Sequence, residues 1–299
     1  MCNDSRRRFL AHSAGAATAL LAAGPLRPSL APAVTTRGTK MAFGLVTYLW
    51  GKDWDLPTLL DIGDKTGTLV VELRATHAHG VEPILSRQER REVKKRFDDS
   101  PVTLVGLGSN ERFDDPDPAV LNRAVEATKA FIKLSHDVGS GGVKVKPNSF
   151  HKDVPRRQTI QQIGRSLNRL GRFAADYGQQ VRLEVHGQCA PLPIMRRIMD
   201  AADHTSVALC WNSNAQDLQG RGLVHNFDLV KDRFGATCHV RRLDSTDYPY
   251  QQLFGLLAQM DYAGSVLLED SKLPKNPIAA LIRQRELFDR MVAKAGTRA

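Results

Sequence analysis

From residue 41 onward, short apolar runs alternate with longer stretches in which apolar residues recur every three to four positions. The first pattern reads as strand and the second as amphipathic helix. Strands are expected at Met41–Trp50, Thr68–Arg74, Val102–Ser109, Gly142–Asn148, Val181–Gly187, Val207–Asn212, Ala236–Leu243 and Gly264–Asp270. A helix is expected after each, at Leu56–Asp64, Ser86–Asp98, Asp117–Val138, Thr159–Tyr177, Leu192–Ala202, Leu223–Phe234, Pro249–Met260 and Pro277–Lys294. Capping signals mark several boundaries: Asp55 before Pro57, Ser86 with Glu89 three residues on, and Gly178 after the fourth helix. Strict β–α alternation implies parallel strands joined by helical crossovers. Eight such units form the α/β architecture of a (β/α)8 TIM barrel, a single domain over residues 41–299. An open doubly wound sheet would carry a glycine-rich phosphate fingerprint after its first strand, and this chain has none.

Residues 1–40 break the pattern. Arg6, Arg7 and Arg8 precede Phe9-Leu10, the apolar run Ala14–Gly24 follows, and Ala31-Pro32-Ala33 offers a cleavage site. The run is shorter than the roughly 20 residues a spanning helix needs. The segment reads as a twin-arginine signal peptide and leader, so a periplasmic or extracytoplasmic protein, exported folded, is expected. It also changes the charge. Of the formal net charge of +10, this segment holds +5, from six basic residues against Asp4, and the barrel the other +5. That mild basicity suits anionic small molecules and is little reason to expect nucleic acid. Neither nucleic acid nor, after signal removal, membrane is expected as a partner; a homo-oligomer stays open. Cys189, Cys210 and Cys238 form no C-x-x-C pair, and no disulfide framework is indicated.

Candidate chemistry lies at the strand ends, because a barrel of this kind places its site at their C-terminal face. The fifth strand, VRLEVHG, alternates Val181, Leu183 and Val185 with Arg182, Glu184 and His186, which puts the polar set on one face. A carboxylate two residues from an imidazole suits a metal or a proton transfer; the plainer alternative is a strand with a solvated outer face. The other ends carry Tyr48, Glu72, Arg74, Ser109, Asn110, Lys146, Asn148, Asn212, Asn214, His239, Arg241, Glu269 and Asp270. The loop after the second strand adds His77 and His79. Glu72 and Arg74 share a face and can pair with each other. Tyr48, Trp50 and Trp54 are candidates for stacking on a sugar ring or for packing.

The phrases VELRATHAHGVEP, RLEVHG, VALCWNSNAQDL, YPYQQLFGLL and GSVLLED, with the His239 strand, resemble the sugar phosphate isomerase/epimerase family, the xylose-isomerase-like barrels. The resemblance covers residues 41–295, and the twin-arginine pattern is similar to that of exported members. It implies one divalent ion (Mn, Mg, Co or Zn) held by Glu184, Asn212, His239 and Glu269. Asn212 stands where the family usually has Asp, which removes a negative charge; Asn214 or Asp217 compensates only if its loop folds back. The resemblance also implies that Glu184 and Glu269 are the catalytic pair, one removing a proton α to a carbonyl and the other returning it to the opposite face. Glu72, Arg74, His77, His79, Lys146, Asn148, His186 and Arg241 are the expected substrate contacts.

The expected function is a metal-dependent isomerase or epimerase acting on a carbohydrate. A lyase or hydratase step on a keto-sugar or glycoside needs the same proton abstraction. Export favours free sugars over sugar phosphates. Two further readings follow from the same residues. Asn212 suits a sugar-binding barrel whose metal site has decayed. An apurinic-site nuclease of the same superfamily would need more His and Asp ligands than this chain offers.

Overall fold

The computed structural model describes residues 40–296. The twin-arginine pattern, the apolar run and the cleavage site lie outside them. Eight parallel strands close into one barrel in chain order. They are β1 (Ala42–Val46), β2 (Val70–Arg74), β3 (Thr103–Arg112), β4 (Gly142–Lys146), β5 (Gln180–Glu184), β6 (Val207–Asn212), β7 (Phe234–Val240) and β8 (Ser265–Leu268). Closure is made by β8 on β1, with Ala42 opposite Ser265 and Leu45 opposite Leu268. The crossovers are α1 (Leu56–Thr66), α2 (Arg87–Asp98), α3 (Pro118–Asp137), α4 (Arg156–Ala175), α5 (Leu192–Ala201), α6 (Gly222–Asp228), α7 (Tyr250–Gln259) and α8 (Pro277–Gly296).

Helix starts follow the sequence signals. Asp55 accepts from the Thr58 amide, and Ser86 and Glu89 close a reciprocal capping box. The sixth crossover differs from the expected helix Leu223–Phe234. α6 stops at Asp228, a single 3-10 turn covers Lys231–Arg233, and β7 begins at Phe234. Tertiary contacts override the helical pattern here. The Phe234 ring packs on Trp211, Phe227 and Tyr262, and the Arg233 guanidinium donates to the carbonyls of Met199, Ala202 and Val207. None of the helices among the described residues is long and apolar enough to cross a membrane.

The strands separate two unlike interiors. Between barrel and helices lies a continuous apolar layer that includes Val181, Leu183 and Val185. Inside the barrel the apolar packing shrinks to Val46, Val70 and Leu267. Much of the remaining interior is polar: Glu72, Lys144, Arg182, Glu184, Thr237 and His239 are all at most 1% exposed. The solvated outer face considered for VRLEVHG is therefore absent. Arg182 and Glu184 point inward, and both faces of β5 are buried. Two glycines of β3 make room for the charges. A Cβ on Gly106 would lie 2.9 Å from Arg182 Nη1 and 3.2 Å from Glu72 Oε2, and one on Gly108 would lie 3.0 Å from Glu72 Oε1.

Candidate active site

Above the buried charges the barrel opens into a cavity of about 620 Å³. Its floor holds Glu184, Asn212 and Glu269, from β5, β6 and the residue after β8. His239, fully buried on β7, lies beneath. Ligand atoms of Glu184, His239 and Glu269 lie within 4.8 Å of one another. His239 Nδ1 is 3.1 Å from Glu269 Oε2 and 4.0 Å from Glu184 Oε1. Its Nε2 faces Glu72 Oε1 at 3.3 Å, an ion-pair separation in which neither atom makes a closed hydrogen bond.

Lys144 completes the cluster. Its ammonium donates to Glu184 Oε2 at 2.8 Å, while the Asn212 amide donates to Glu184 Oε1 at 2.8 Å. A buried ion pair is costly to make and more costly to break, because either partner left alone is an uncompensated charge. The cluster sets its own protonation. Burial by itself would raise Glu184, but Lys144 and His239 outweigh it and hold the carboxyl below its usual value. Burial would also raise Glu269, and His239, Lys144 and Arg74 outweigh it in the same direction. Burial would lower His239, yet Cys210 and the Glu72 and Glu269 carboxylates push it well above the usual histidine range. Lys144 is likewise driven up: Glu184, Glu269 and Glu72 outweigh its burial.

These residues fit a divalent ion. Glu184, His239 and Glu269 converge, and a histidine ligand whose second ring nitrogen faces a carboxylate is a recurrent device for orienting the ring. Glu72 occupies that position behind His239. Asn212 can add a neutral oxygen after a half-turn of its amide. The loop beyond β6 does not supply the missing charge. Asn214 donates to the carbonyls of Val185 and Asn212, and fully buried Asp217 accepts from the Asn214 amide and the Tyr248 hydroxyl. These bonds make the acid a constituent of the loop, outside the group that converges on the cavity floor, and burial raises it to about 7.

The expected substrate contacts divide into two groups. Arg74, Lys146, His186 and Arg241 line the cavity. Glu72, His77, His79 and Asn148 do not. Glu72 is fully buried below the floor, out of reach of a ligand in the mouth. His79 accepts from the Val81 amide at Nδ1, so its Nε2–H donates to the Arg74 carbonyl. Burial lowers it to about 4 and keeps it neutral, a loop brace beneath Arg74. His77 contacts Thr47 Oγ1 through Nδ1 at 3.2 Å. Asn148, at φ +70°, receives the His186 Nδ1 contact at 3.0 Å and positions that ring. Of the aromatic candidates, Tyr48 lines the cavity under the Arg74 guanidinium, whereas Trp50 is buried and donates to the Lys272 carbonyl.

Lys144 escaped the reading of strand ends because it lies one inward position below Lys146. The signal was present: GVKVK places two lysines on the same face of an otherwise apolar strand, and that face cannot be solvated in a closed barrel. The alternate glycines of VGLG were a second, complementary signal.

Solved structures share the fold. The 3-keto-D-glucoside 4-epimerase of E. coli superposes with a TM-score of 0.71 and 15% identity, over 84% of this chain and 99% of that one. An L-ribulose 3-epimerase gives 0.74 and 15%, over 86% and 96%. The IolI protein with a bound zinc atom gives 0.72 and 15%, over 85% and 99%. No curated protein matches the chain by sequence. Residues 64–290 match one family description, and the chain accordingly belongs to the xylose isomerase-like TIM barrel family.

Proposed function

We propose that the protein is a divalent-metal-dependent sugar isomerase or epimerase in which Glu184 and Glu269 move a proton α to a carbonyl. The observation that carries this reading is the floor of the cavity. Two carboxylates open on it, one from β5 and one just after β8, both in contact range of His239 and both held ionised by neighbouring cations. An ionised carboxylate is required to remove a proton, and a second one on the other side of the ligand can return it. The sugar specificities of the epimerases that share the fold support the same substrate class.

The two glutamates are not equivalent. Glu184 is held from two sides, by Lys144 and Asn212, and its side chain is 2% exposed. Glu269 has one partner in the cluster, His239, and its side chain is 12% exposed. Glu269 is therefore the carboxylate freer to turn toward a bound sugar. Glu184, His239, Glu269 and the Asn212 oxygen are the residues that would hold the ion, with Glu72 fixing His239 and Lys144 fixing Glu184. When bound, a divalent ion polarises a carbonyl and stabilises the negative charge that develops on it. Export by the twin-arginine route, from residues 1–40 alone, completes the proposal.

The test is solvent exchange. A panel of ketoses is incubated in D2O with the protein and Mn2+, Mg2+, Co2+ or Zn2+, and deuterium at the carbon next to the carbonyl is read by NMR. Incorporation that disappears in Glu269→Gln is expected. Absence of incorporation into every ketose with every metal overturns the proposal. The decayed-site reading, suggested by Asn212, predicts that result together with no retained metal.

A further inference from the structure

The cavity is lined by cations that form no ion pair with its carboxylates. Among the described residues lining it, the carboxylates are Glu184 and Glu269, and both are engaged below, by Lys144 and His239. Lys146, the last residue of β4, is 91% buried, being 9% exposed. Its ammonium makes one hydrogen bond, to Asn110 Oδ1 at 3.4 Å. Arg74, the last residue of β2, reaches the same oxygen with Nη2 at 3.2 Å and lies 4.5 Å over the Tyr48 ring. Neither forms an ion pair with any carboxylate among the described residues.

Two cations on one neutral acceptor is a poor arrangement for a resting protein. Burial of an ammonium is unfavourable without a counter-charge, and adjacent like charges repel. The barrel avoids this one layer down, where Lys144 meets Glu184 at 2.8 Å. A role as mere packing of an aliphatic stem explains a buried lysine but not the guanidinium beside it. Arg241, on the rim beyond β7, adds a third cation whose side chain makes no hydrogen bond or ion pair among the described residues. Three cations, Arg74, Lys146 and Arg241, against two carboxylates give the lining a net positive charge, which favours an anion.

We propose that the substrate is a sugar acid whose carboxylate binds between Lys146 and Arg74 while its reacting carbon lies over Glu184 and Glu269. This rests on the proton-transfer reading for the second half of that placement. The spacing is suitable. Lys146 stands two residues above Lys144 on the same face, roughly 6.6 Å along the strand, a span comparable with that from a middle carbon of a hexose chain to an acidic group at its end. Charge-assisted bonds from a lysine and an arginine give such a group two strong donors.

The experiment is calorimetric titration of wild-type protein and of Glu269→Gln with matched probes: D-fructose, D-fructuronate and D-fructose 6-phosphate, and the corresponding D-tagatose series. At least one of the two uronates should bind about tenfold or more tightly than its neutral parent, a factor equivalent to about 1.4 kcal/mol. Lys146→Met and Arg74→Gln should each remove that preference, weakening the acid by about tenfold more than they weaken the neutral sugar. A preference for the phosphate and not for the carboxylate overturns the assignment to a sugar acid. Equal binding of acids and neutral sugars, no binding by any of the six, or a preference that survives both substitutions overturns the proposal. Because binding is read without turnover, the two readings separate. Deuterium exchange on neutral sugars with no acid preference sinks this one alone, and acid preference without exchange sinks the proton-transfer reading alone.

Discussion

The two halves of the barrel mouth solve opposite electrostatic problems. On one side, β5 to β8 gather Glu184, Asn212, His239 and Glu269. That side is supported from below: Lys144 pairs with Glu184, and Glu72 stands behind His239. On the other side, β2 to β4 bring Arg74, Asn110 and Lys146 together with no carboxylate between them. The first half has its counter-charges built into the protein. The second half leaves its charges to be met from outside. The contrast separates residues that are paired within the protein from residues proposed to meet a ligand, and residue type alone does not: Lys144 and Lys146 are two positions apart and differ in this respect.

The largest effect is expected at the two carboxylates proposed as catalytic. Glu184→Gln and Glu269→Gln are each expected to lower kcat/KM by roughly 10²–10⁴-fold, the range for loss of general acid–base help, with unchanged circular dichroism. Retained turnover in either variant would show that the paired-carboxylate scheme is wrong. The next largest effect is on stability. Lys144→Met strands the buried Glu184 charge and should cost about 3–5 kcal/mol, read by denaturant unfolding at neutral pH. Adding Glu184→Gln should recover much of it; no recovery would mean that the pair is not the origin of the loss. The pH dependence has a definite sign. The folded carboxyl is depressed below its ordinary value of 4.5, so its contribution is present above that value and is lost as the pH falls through the lower folded value. The penalty of Lys144→Met should therefore shrink in acid.

The supporting residues give smaller effects. Glu72→Gln should weaken Mn2+ binding about 10–100-fold, as for other carboxylates behind histidine ligands, while a purely packing role would leave the affinity alone and move only the melting temperature. Asn212→Asp should tighten Mn2+ about tenfold, or roughly 1.4 kcal/mol, and lower the melting temperature of the metal-free protein by adding a carboxylate beside Glu184. Unchanged affinity would remove Asn212 from the ligand set. The smallest effect sharpens the basic half. Burial, reinforced by Lys144 and Arg74 and opposed by Glu184 and Glu269, lowers Lys146 to about 8. Affinity for an acidic sugar should fall severalfold as the pH rises through about 8, with no such step in Lys146→Met.

Much of the scaffold was legible before folding. The apolar periodicities locate eight strands and eight helices because each strand must bury one face against helices and each helix one stripe against strands. That repeating need writes itself into local sequence. Where local and tertiary demands disagreed, near Phe234, the aromatic packing prevailed and shortened the helix. The strand-end rule then found Glu184, His239 and Glu269, since position along a strand determines depth in the barrel.

Depth was read correctly only for the uppermost residues. Glu72 and Lys144 lie one layer below the mouth, and nothing in their own neighbourhoods distinguishes a residue that faces a ligand from one that faces a ligand's support. That distinction depends on the stagger between strands. Lys144 stands level with Arg182 across β4 and β5, and its side chain reaches up to Glu184. The role of Arg74 and Lys146 as an unanswered pair depends likewise on Asn110, contributed by a third strand after the register shift in β3. The barrel, the inward face of each strand and the residues at its rim are written in the local sequence, because they follow from periods of two and 3.6 along one chain. Which charges neutralise one another and which are left open was decided by tertiary structure, because Coulomb energies and desolvation depend on distances between side chains that the chain separates by tens to hundreds of residues.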